Sequence, residues 1–338
     1  HRIRRRQRQM CIRDRYLRVS NEMVVEEEKV ENNKLRTKFA DSMKMSSYLV
    51  AFVIGDLEAT VVGKSKTTDI RIIHRPGFSH QTSYAGTAAI KLLDFFEDYY
   101  KIPYPGTKLD LIAIPDFAMG AMENVGAVTF RENLLLFDKD KATRSELDRS
   151  ITVIAHELAH MWFGDLVTMK WWDGIWLNEA FASLMEVIAS YNTYPEFKQW
   201  NAMNMSRTAG FSIDSLENSR PVEFDVETPD QAEEMFDVLT YEKGSTVLRM
   251  FQMFIGEEAF QNGVEAYLNK FKFENTNSSD LWDALSEASN QPLNKILPFW
   301  IREKGYPFLQ VDCSNNFLTI KQKPFLLKNV ETDKNNIK

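Results

Sequence analysis

Apolar residues recur at helical spacing over most of the chain after position 141. This spacing predicts seven helices, at 145–163, 176–190, 195–209, 231–254, 257–271, 279–288 and 293–304. An earlier stretch, 83–100, has the same spacing and is stopped by Pro103 and Pro105. Ser145 and Asp148 have the spacing of a capping box, which predicts that the first of the seven helices begins there.

Short runs of β-branched and aromatic residues occupy much of the remaining chain. They predict strands within 47–60 and at 69–74, 109–114, 127–130 and 134–137. The last three of these could form one sheet. The segment 308–320 alternates apolar and polar residues around Ser314-Asn315-Asn316, a pattern typical of a hairpin. Strands followed by a long helical region indicate an α+β fold.

The strands at the two ends of the chain have too few neighbours to form domains of their own. Residues 19–62 are therefore interpreted as the C-terminal remnant of a β-sandwich domain whose body lies upstream. Residues 308–338 are interpreted as the start of a following β domain. This leaves 63–307 as one central domain, although the length of 338 residues would suggest about two domains.

Charge is distributed unevenly along the chain. The net charge is −7, but residues 1–18 carry eight Arg against one acid, so the rest of the chain has a net charge of −14. A basic arm could bind nucleic acid. However, this segment lacks a helical apolar stripe and joins a sequence of different character, so we interpret it as an artefactual or disordered leader. No nucleic-acid partner is predicted.

Composition excludes several other classes of protein. The chain is 44% hydrophobic and 26% charged, as in ordinary globular proteins. The longest apolar stretch, 48–57, is interrupted by Gly55 and Asp56 and is too short to span a membrane. Cys11 and Cys313 are too few for a disulfide framework or a cysteine-based zinc site. The scarcity of cysteine mildly favours the cytoplasm and leaves the compartment open.

The strongest chemical motif is His156-Glu157-Leu158-Ala159-His160. On a helix, residues four apart face the same side, so both imidazoles can bind one metal ion. The neighbouring Glu157 is suited to take a proton from the attacking water. Since the chain has only five His, a chance match to this motif is expected about 0.01 times. The motif predicts one Zn²⁺ per chain.

A catalytic zinc needs a third protein ligand. Position 166 is Leu rather than His, so a carboxylate is required, and Glu179 lies on the next predicted helix among apolar neighbours. A buried carboxylate needs a metal or a partner. Asp165 and Asp173 are the competing candidates, but both fall in the predicted connecting loop.

These motifs together resemble a known enzyme family. The HExxH motif, followed by Glu179 in a WLNE context and preceded by Gly120-Ala121-Met122-Glu123-Asn124, is similar to the gluzincin aminopeptidases of the aminopeptidase N and puromycin-sensitive aminopeptidase type. The resemblance covers about residues 45–325. It implies a thermolysin-like catalytic domain with a small mixed β-sheet lobe and a helical lobe.

The resemblance also implies a role for each matching residue. His156, His160 and Glu179 would bind Zn²⁺, and Glu157 would be the general base. Within the GAMEN segment, Glu123 would bind the free α-ammonium of a peptide, with Gly120, Ala121, Met122 and Asn124 forming the rest of the substrate-binding segment. Tyr241, in a Tyr-Glu-Lys-Gly context, would stabilise the charge that develops on the scissile oxygen.

We therefore expect a zinc aminopeptidase that acts on peptides with a free N-terminal amine. A thermolysin-like endopeptidase shares the zinc ligands but does not need Glu123. An epoxide-hydrolysing branch of the family resembles Gly-Gly-Met-Glu-Asn, whereas this chain has Ala121. A non-catalytic zinc-binding scaffold is the third alternative, since the flanking domains are truncated. The sequence does not indicate the preferred side chain or the oligomeric state.

Overall fold

The computed structural model describes residues 16–31, 34–314, 316–325 and 327. It combines helices with sheets, which confirms the α+β class. The described residues form two compact units: one within His1–Thr168, Asn192–Phe197 and Lys272–Glu274, the other within Met169–Tyr191, Lys198–Phe271 and Asn275–Lys338. Most of the predicted leader lies outside the described residues, but Leu17 and Arg18 belong to the first strand.

The first unit contains most of the strands. They are β1 (Leu17–Ser20), β2 (Val24–Val30), β3 (Lys34–Phe39), β4 (Phe52–Gly55), β5 (Glu58–Ser65), β6 (Thr68–His74), β7 (Leu109–Ile114), β8 (Ala121–Met122) and β9 (Ala127–Arg131). The last five form one sheet in the order β5-β6-β7-β9-β8, in which β6, β7 and β9 are parallel. The strand β8 lies at one edge and pairs antiparallel with β9. Separate antiparallel pairs join β1 to β4 and β2 to β3.

Two long helices belong to this unit, α1 (Ser83–Tyr100) and α2 (Arg144–His160). The bounds of α1 agree with the prediction. The capping box of α2, however, is formed by Thr143 and Glu146, so the predicted box at Ser145 was wrong. The helix also ends at His160, earlier than predicted. Thr143 supplies the side-chain oxygen that accepts from the Glu146 amide at 3.3 Å.

The predicted strand at 134–137 is not a strand. A short 3-10 helix, Glu132–Leu134, lies there instead, and Leu135 and Leu136 are buried beyond it. Apolar residues in a short run indicate burial, and periodicity alone does not separate a buried strand from other buried backbone. β9 is therefore the last strand of this sheet in the sequence, and the two edge strands of the sheet are β5 and β8.

The second unit is mainly helical. The helices are α3 (Trp176–Thr193), α4 (Gln199–Asp214), α5 (Pro229–Glu234), α6 (Gly244–Ile255), α7 (Glu257–Phe271), α8 (Ser278–Ser289) and α9 (Leu293–Arg302). Two short strands, β10 (Val167–Met169) and β11 (Glu274–Thr276), lie at the unit boundaries, and β12 (Tyr306–Ser314) with β13 (Phe317–Phe325) forms the predicted hairpin. In the described part of the chain, no helix combines the length and apolar character needed to cross a membrane.

The predicted helix at 231–254 is interrupted. The chain forms α5, a break, a π-helix at Leu239–Lys243 and then α6. Asp237 explains the break, because its side-chain oxygen accepts from the backbone amides of Leu239 and Thr240, at 2.9 and 3.1 Å. A carboxylate that binds the backbone in this way starts a new helix rather than continuing one.

Gly126 allows a close backbone approach in the turn between β8 and β9. Its φ is +73°, and a Cβ there would collide with the carbonyl oxygen of Asn21, whereas Gly77 has a φ of +85° with open space around it. We expect Gly126→Ala to lower the free energy of unfolding by about 3 kcal/mol, against about 1 kcal/mol for Gly77→Ala, which has only the backbone cost. Urea denaturation measures both values. Equal losses would contradict the close approach.

Candidate active site

His156 and His160 lie on the last turns of α2. Their ring centroids are 4.7 Å apart and the ring planes meet at 78°, so the two imidazoles are neighbours on one side of the helix, as the spacing predicted. His160 is buried with 1% of its surface exposed, and His156 is partly exposed. A pair of neighbouring imidazoles at the end of a buried helix is suited to metal binding.

The tautomer of His160 follows from its hydrogen bond. Its Nδ1 lies 2.9 Å from the carbonyl oxygen of Phe163. Because a carbonyl only accepts, Nδ1 carries the hydrogen, and in the neutral ring Nε2 is then the nitrogen with the lone pair. A ligating His usually donates its other ring nitrogen to a carbonyl in this manner. The early end of α2 makes this bond possible, because the backbone departs from the helix just before Phe163.

Two buried glutamates belong to the same part of the first unit. Glu123 and Glu157 are each 5% exposed. One carboxylate oxygen from each and a ring nitrogen of His160 all lie within 4.8 Å of one another. The structure thus brings Glu123 of the GAMEN segment to the HExxH helix. Two carboxylates this close create a negative site that favours a cation or a proton.

The GAMEN segment forms the edge of the five-stranded sheet. Ala121 and Met122 make up β8, while Gly120 is exposed and its carbonyl accepts from the Arg131 amide at 2.9 Å. Asn124 is buried and acts as a structural link, because its amide donates to the Leu49 carbonyl at 3.2 Å. Edge strands leave backbone groups available for pairing with another extended chain.

Asp165 is a buried carboxyl that the sequence pointed to only as a competing ligand. It is 1% exposed, and within the described residues neither of its oxygens has a hydrogen-bond partner. Burial raises the pKa of Asp165 well above its usual range, and the negative charges of Glu123 and Glu157 raise that pKa further. Asp165 is therefore a buried carboxyl on which the charges of Glu123 and Glu157 act.

Glu179 and the competing Asp173 both belong to the second unit. Glu179 lies in the first turn of α3 and is 4% exposed, in agreement with the predicted burial. The neighbouring Asn178 is also buried and donates to the Met169 sulfur at 3.0 Å. Asp173 is only partly buried and lies on the short 3-10 helix before α3. Glu179 is thus more deeply buried than Asp173, as the sequence suggested.

Tyr241 is partly buried at the centre of the π-helix in the second unit. Its amide donates to the Asp237 carbonyl at 3.1 Å. Arg220 supports this segment, because its guanidinium donates to the Asp237 carboxylate at 2.6 Å and to the Thr240 hydroxyl at 3.1 Å. Short π-helices are rare and occur frequently at functional sites. The motif located Tyr241, but its π-helical backbone was not predictable from helical spacing.

Lys243 anchors the end of the same π-helix. Its ammonium forms an ion pair with the Asp214 carboxylate at 2.9 Å, and both side chains are nearly buried. It also donates to the carbonyls of Glu303 and Gly305, at 3.1 Å each. The π-helix around Tyr241 is therefore held at one end by the partly buried pair of Arg220 and Asp237, and at the other by the nearly buried pair of Lys243 and Asp214.

Comparison with known proteins identifies the same region. A family profile described as "Peptidase family M1 domain" matches residues 84–300. The chain is 41% identical over 309 residues to "Aminopeptidase M1-A" of Oryza sativa subsp. japonica, covering 91% of this chain and 35% of that protein. It is 42% identical over 323 residues to "Puromycin-sensitive aminopeptidase" of Caenorhabditis elegans, covering 94% of this chain and 34% of that protein.

A third relative shows a similar degree of identity. "Probable aminopeptidase 1" of Sulfurisphaera tokodaii is 42% identical over 301 residues, covering 89% of this chain and 38% of that protein. The chain thus spans a little over a third of the length of these relatives. The profile match covers the candidate residues on α2 and α3, the GAMEN segment and Tyr241.

Proposed function

The chain belongs to peptidase family M1, and from this premise we propose that it is a zinc-dependent aminopeptidase that removes the N-terminal residue of peptides. The observation that carries the proposal is the proximity of Glu123, Glu157 and His160 in the first unit. One carboxylate oxygen of each glutamate and a ring nitrogen of His160 lie within 4.8 Å of one another. This proximity places Glu123, which can bind a cation, beside the helix that carries the proposed hydrolytic residues. In this proposal the central domain is thermolysin-like and spans 63–307, between the flanking segments 19–62 and 308–338.

We propose that His156, His160 and Glu179 hold the zinc. Two imidazoles and one carboxylate are a donor set that can bind a metal ion. The Nδ1 bond of His160 to the Phe163 carbonyl supports this assignment, because it orients the ring for binding through Nε2. When bound, zinc would act as a Lewis acid toward the scissile carbonyl and the attacking water.

Glu157 is the proposed general base. Its position on α2 beside His156 supports this role, because a carboxylate there can accept a proton from the attacking water. Glu157 takes the proton of the attacking water and then passes it to the leaving amine. Tyr241 donates its hydroxyl hydrogen to the scissile oxygen as negative charge develops there.

Glu123 is the proposed anchor for the substrate. Its carboxylate binds the free α-ammonium while the exposed edge of β8, with Gly120 and Ala121, pairs with the peptide backbone. An anchor this close to the hydrolytic residues allows only the first peptide bond to reach them. The site therefore favours an aminopeptidase over an endopeptidase, which has no need for such an anchor.

The substrate preference tests this proposal. The protein is incubated with a panel of aminoacyl fluorogenic amides and with the N-acetylated form of the best of them. We expect turnover of the free-amine compound only, and we expect Glu123→Gln to raise KM by about 10- to 100-fold, because a hydrogen bond to a charged group is lost. Efficient turnover of the N-acetylated compound would favour the endopeptidase. The absence of turnover with either compound would favour the non-catalytic scaffold.

A further inference from the structure

Asn21 is a buried polar residue directly after β1, with 2% of its surface exposed. Its amide donates to the carbonyl oxygens of Leu49 and Val125 at 2.9 Å each, and its oxygen accepts from the Ala51 amide at 3.0 Å. Asn21 and Val125 are 104 positions apart in the sequence. One side chain thus connects the strands near the start of the chain to the turn that follows Glu123.

The same turn is held from other directions. The Gly126 amide donates to the Tyr104 hydroxyl at 3.2 Å, and the Lys108 ammonium donates to the Gly126 carbonyl. The Lys108 ammonium also donates to the Ser20 carbonyl at 2.9 Å, next to Asn21. The backbone groups of the turn are therefore fixed to the segment that contains β1.

Glu123 lies between this turn and β8. On the other side, β8 is paired with β9 through Ala121 with Phe130 and Met122 with Thr129. Because both flanks are held, the backbone at Glu123 has one defined position. A displacement of about 1 Å at a substrate-positioning group is enough to weaken its effect greatly.

We infer that Asn21 is a positioning residue for Glu123, which fixes the distance of the ammonium anchor from the HExxH helix. This inference rests on the proposed role of Glu123. It assigns a function to the β1–β4 region: the region supports the anchor through the Val125 carbonyl. The substrates whose binding should depend on Asn21 are peptides or amides with a free α-ammonium.

A double-mutant cycle tests the inference. KM and kcat are measured for the wild type, Asn21→Ala, Glu123→Gln and the double variant, with the best aminoacyl fluorogenic amide. We expect Asn21→Ala to raise KM about tenfold and to leave kcat within about twofold, as loss of an interaction made equally in the ground and transition states. In the Glu123→Gln background, we expect Asn21→Ala to add less than about twofold, because the residue it positions is already changed.

Ser20→Ala is the matched control. Ser20 is the preceding residue, and its hydroxyl donates to the Ala51 carbonyl at 2.7 Å, whereas the Asn21 amide donates to the Val125 carbonyl in the turn after Glu123. We expect Ser20→Ala to leave KM unchanged. Its melting temperature reports the cost of losing one hydrogen bond to the backbone of Ala51, to which Asn21 also bonds. Asn21→Asp keeps the side-chain volume and removes the amide donors, so it replaces Asn21→Ala if the latter does not fold.

The possible outcomes are distinguishable. If Glu123→Gln raises KM but both Asn21 variants behave like Ser20→Ala, the positioning role is wrong and the proposed function stands. The role is also wrong if the effects of Asn21→Ala and Glu123→Gln multiply independently. If Glu123→Gln leaves KM unchanged, the ammonium anchor is wrong and the inference about Asn21 is lost with it.

Discussion

Glu157→Gln is expected to reduce kcat by about 1,000- to 10,000-fold, because glutamine has the shape of glutamate but cannot take a proton from water. Glu157 is buried on α2 between the two histidines of the HExxH motif and is not a proposed zinc ligand. The variant should therefore keep its zinc. Measurement of kcat with an aminoacyl fluorogenic amide, together with the zinc content of the purified protein, checks both parts.

Two controls separate the loss of the base from other causes. Glu97→Gln changes another buried glutamate of the first unit, one that accepts from the Tyr104 amide at 2.8 Å and lies on α1. It should leave kcat nearly unchanged. A chelator should abolish the activity of the wild type, and added Zn²⁺ should restore it. Undiminished turnover by Glu157→Gln would rule out Glu157 as the base.

Tyr241→Phe is expected to reduce kcat by about 100- to 1,000-fold while KM stays within about threefold. The reason is that the hydroxyl acts on charge that develops only in the transition state, so its loss has little effect on substrate binding. Removal of one oxygen from a partly buried side chain should also preserve the π-helix, whose ends are held by Asp237 and Lys243.

The control for this variant is Tyr191→Phe. Tyr191 belongs to the same unit, is 45% exposed and packs against Trp200 on α4. It should retain full activity. Circular dichroism and the melting temperature of both variants report on folding. If kcat of Tyr241→Phe matched that of Tyr191→Phe, the proposed stabilisation of the scissile oxygen would be wrong.

Helices with long, regular apolar spacing were predictable, and those with internal signals for a break were not. The bounds of α1 and α7 agree with the prediction because the apolar positions recur at helical spacing along each, and α1 is also followed by the stop at Pro103 and Pro105. The region 231–254 has the same spacing, but Asp237 binds the amides of Leu239 and Thr240 and restarts the helix. Competition between a side chain and the backbone is decided by local geometry.

Strand assignments depended more strongly on tertiary contacts. The sequence suggested β6, β7 and β9, which are short and β-branched, but did not distinguish β2 and β3 in the Glu- and Lys-rich segment near the start. Nearly all residues of β2 are exposed and none of β3 is fully buried, so the two strands carry little apolar pattern. Their pairing uses cross-strand contacts such as Arg36 with Glu28, at 2.9 Å.

The local motifs by themselves identified the candidate zinc ligands on α2, the proposed general base and the helix that carries Glu179. In those cases the chemistry depends on residues a few positions apart, and helical geometry relates them directly. Only the tertiary structure decided that Glu123 lies beside Glu157 and that Asn21 holds the turn after Glu123. These contacts join residues far apart in the sequence, and they arise from sheet order and burial, which no local spacing encodes.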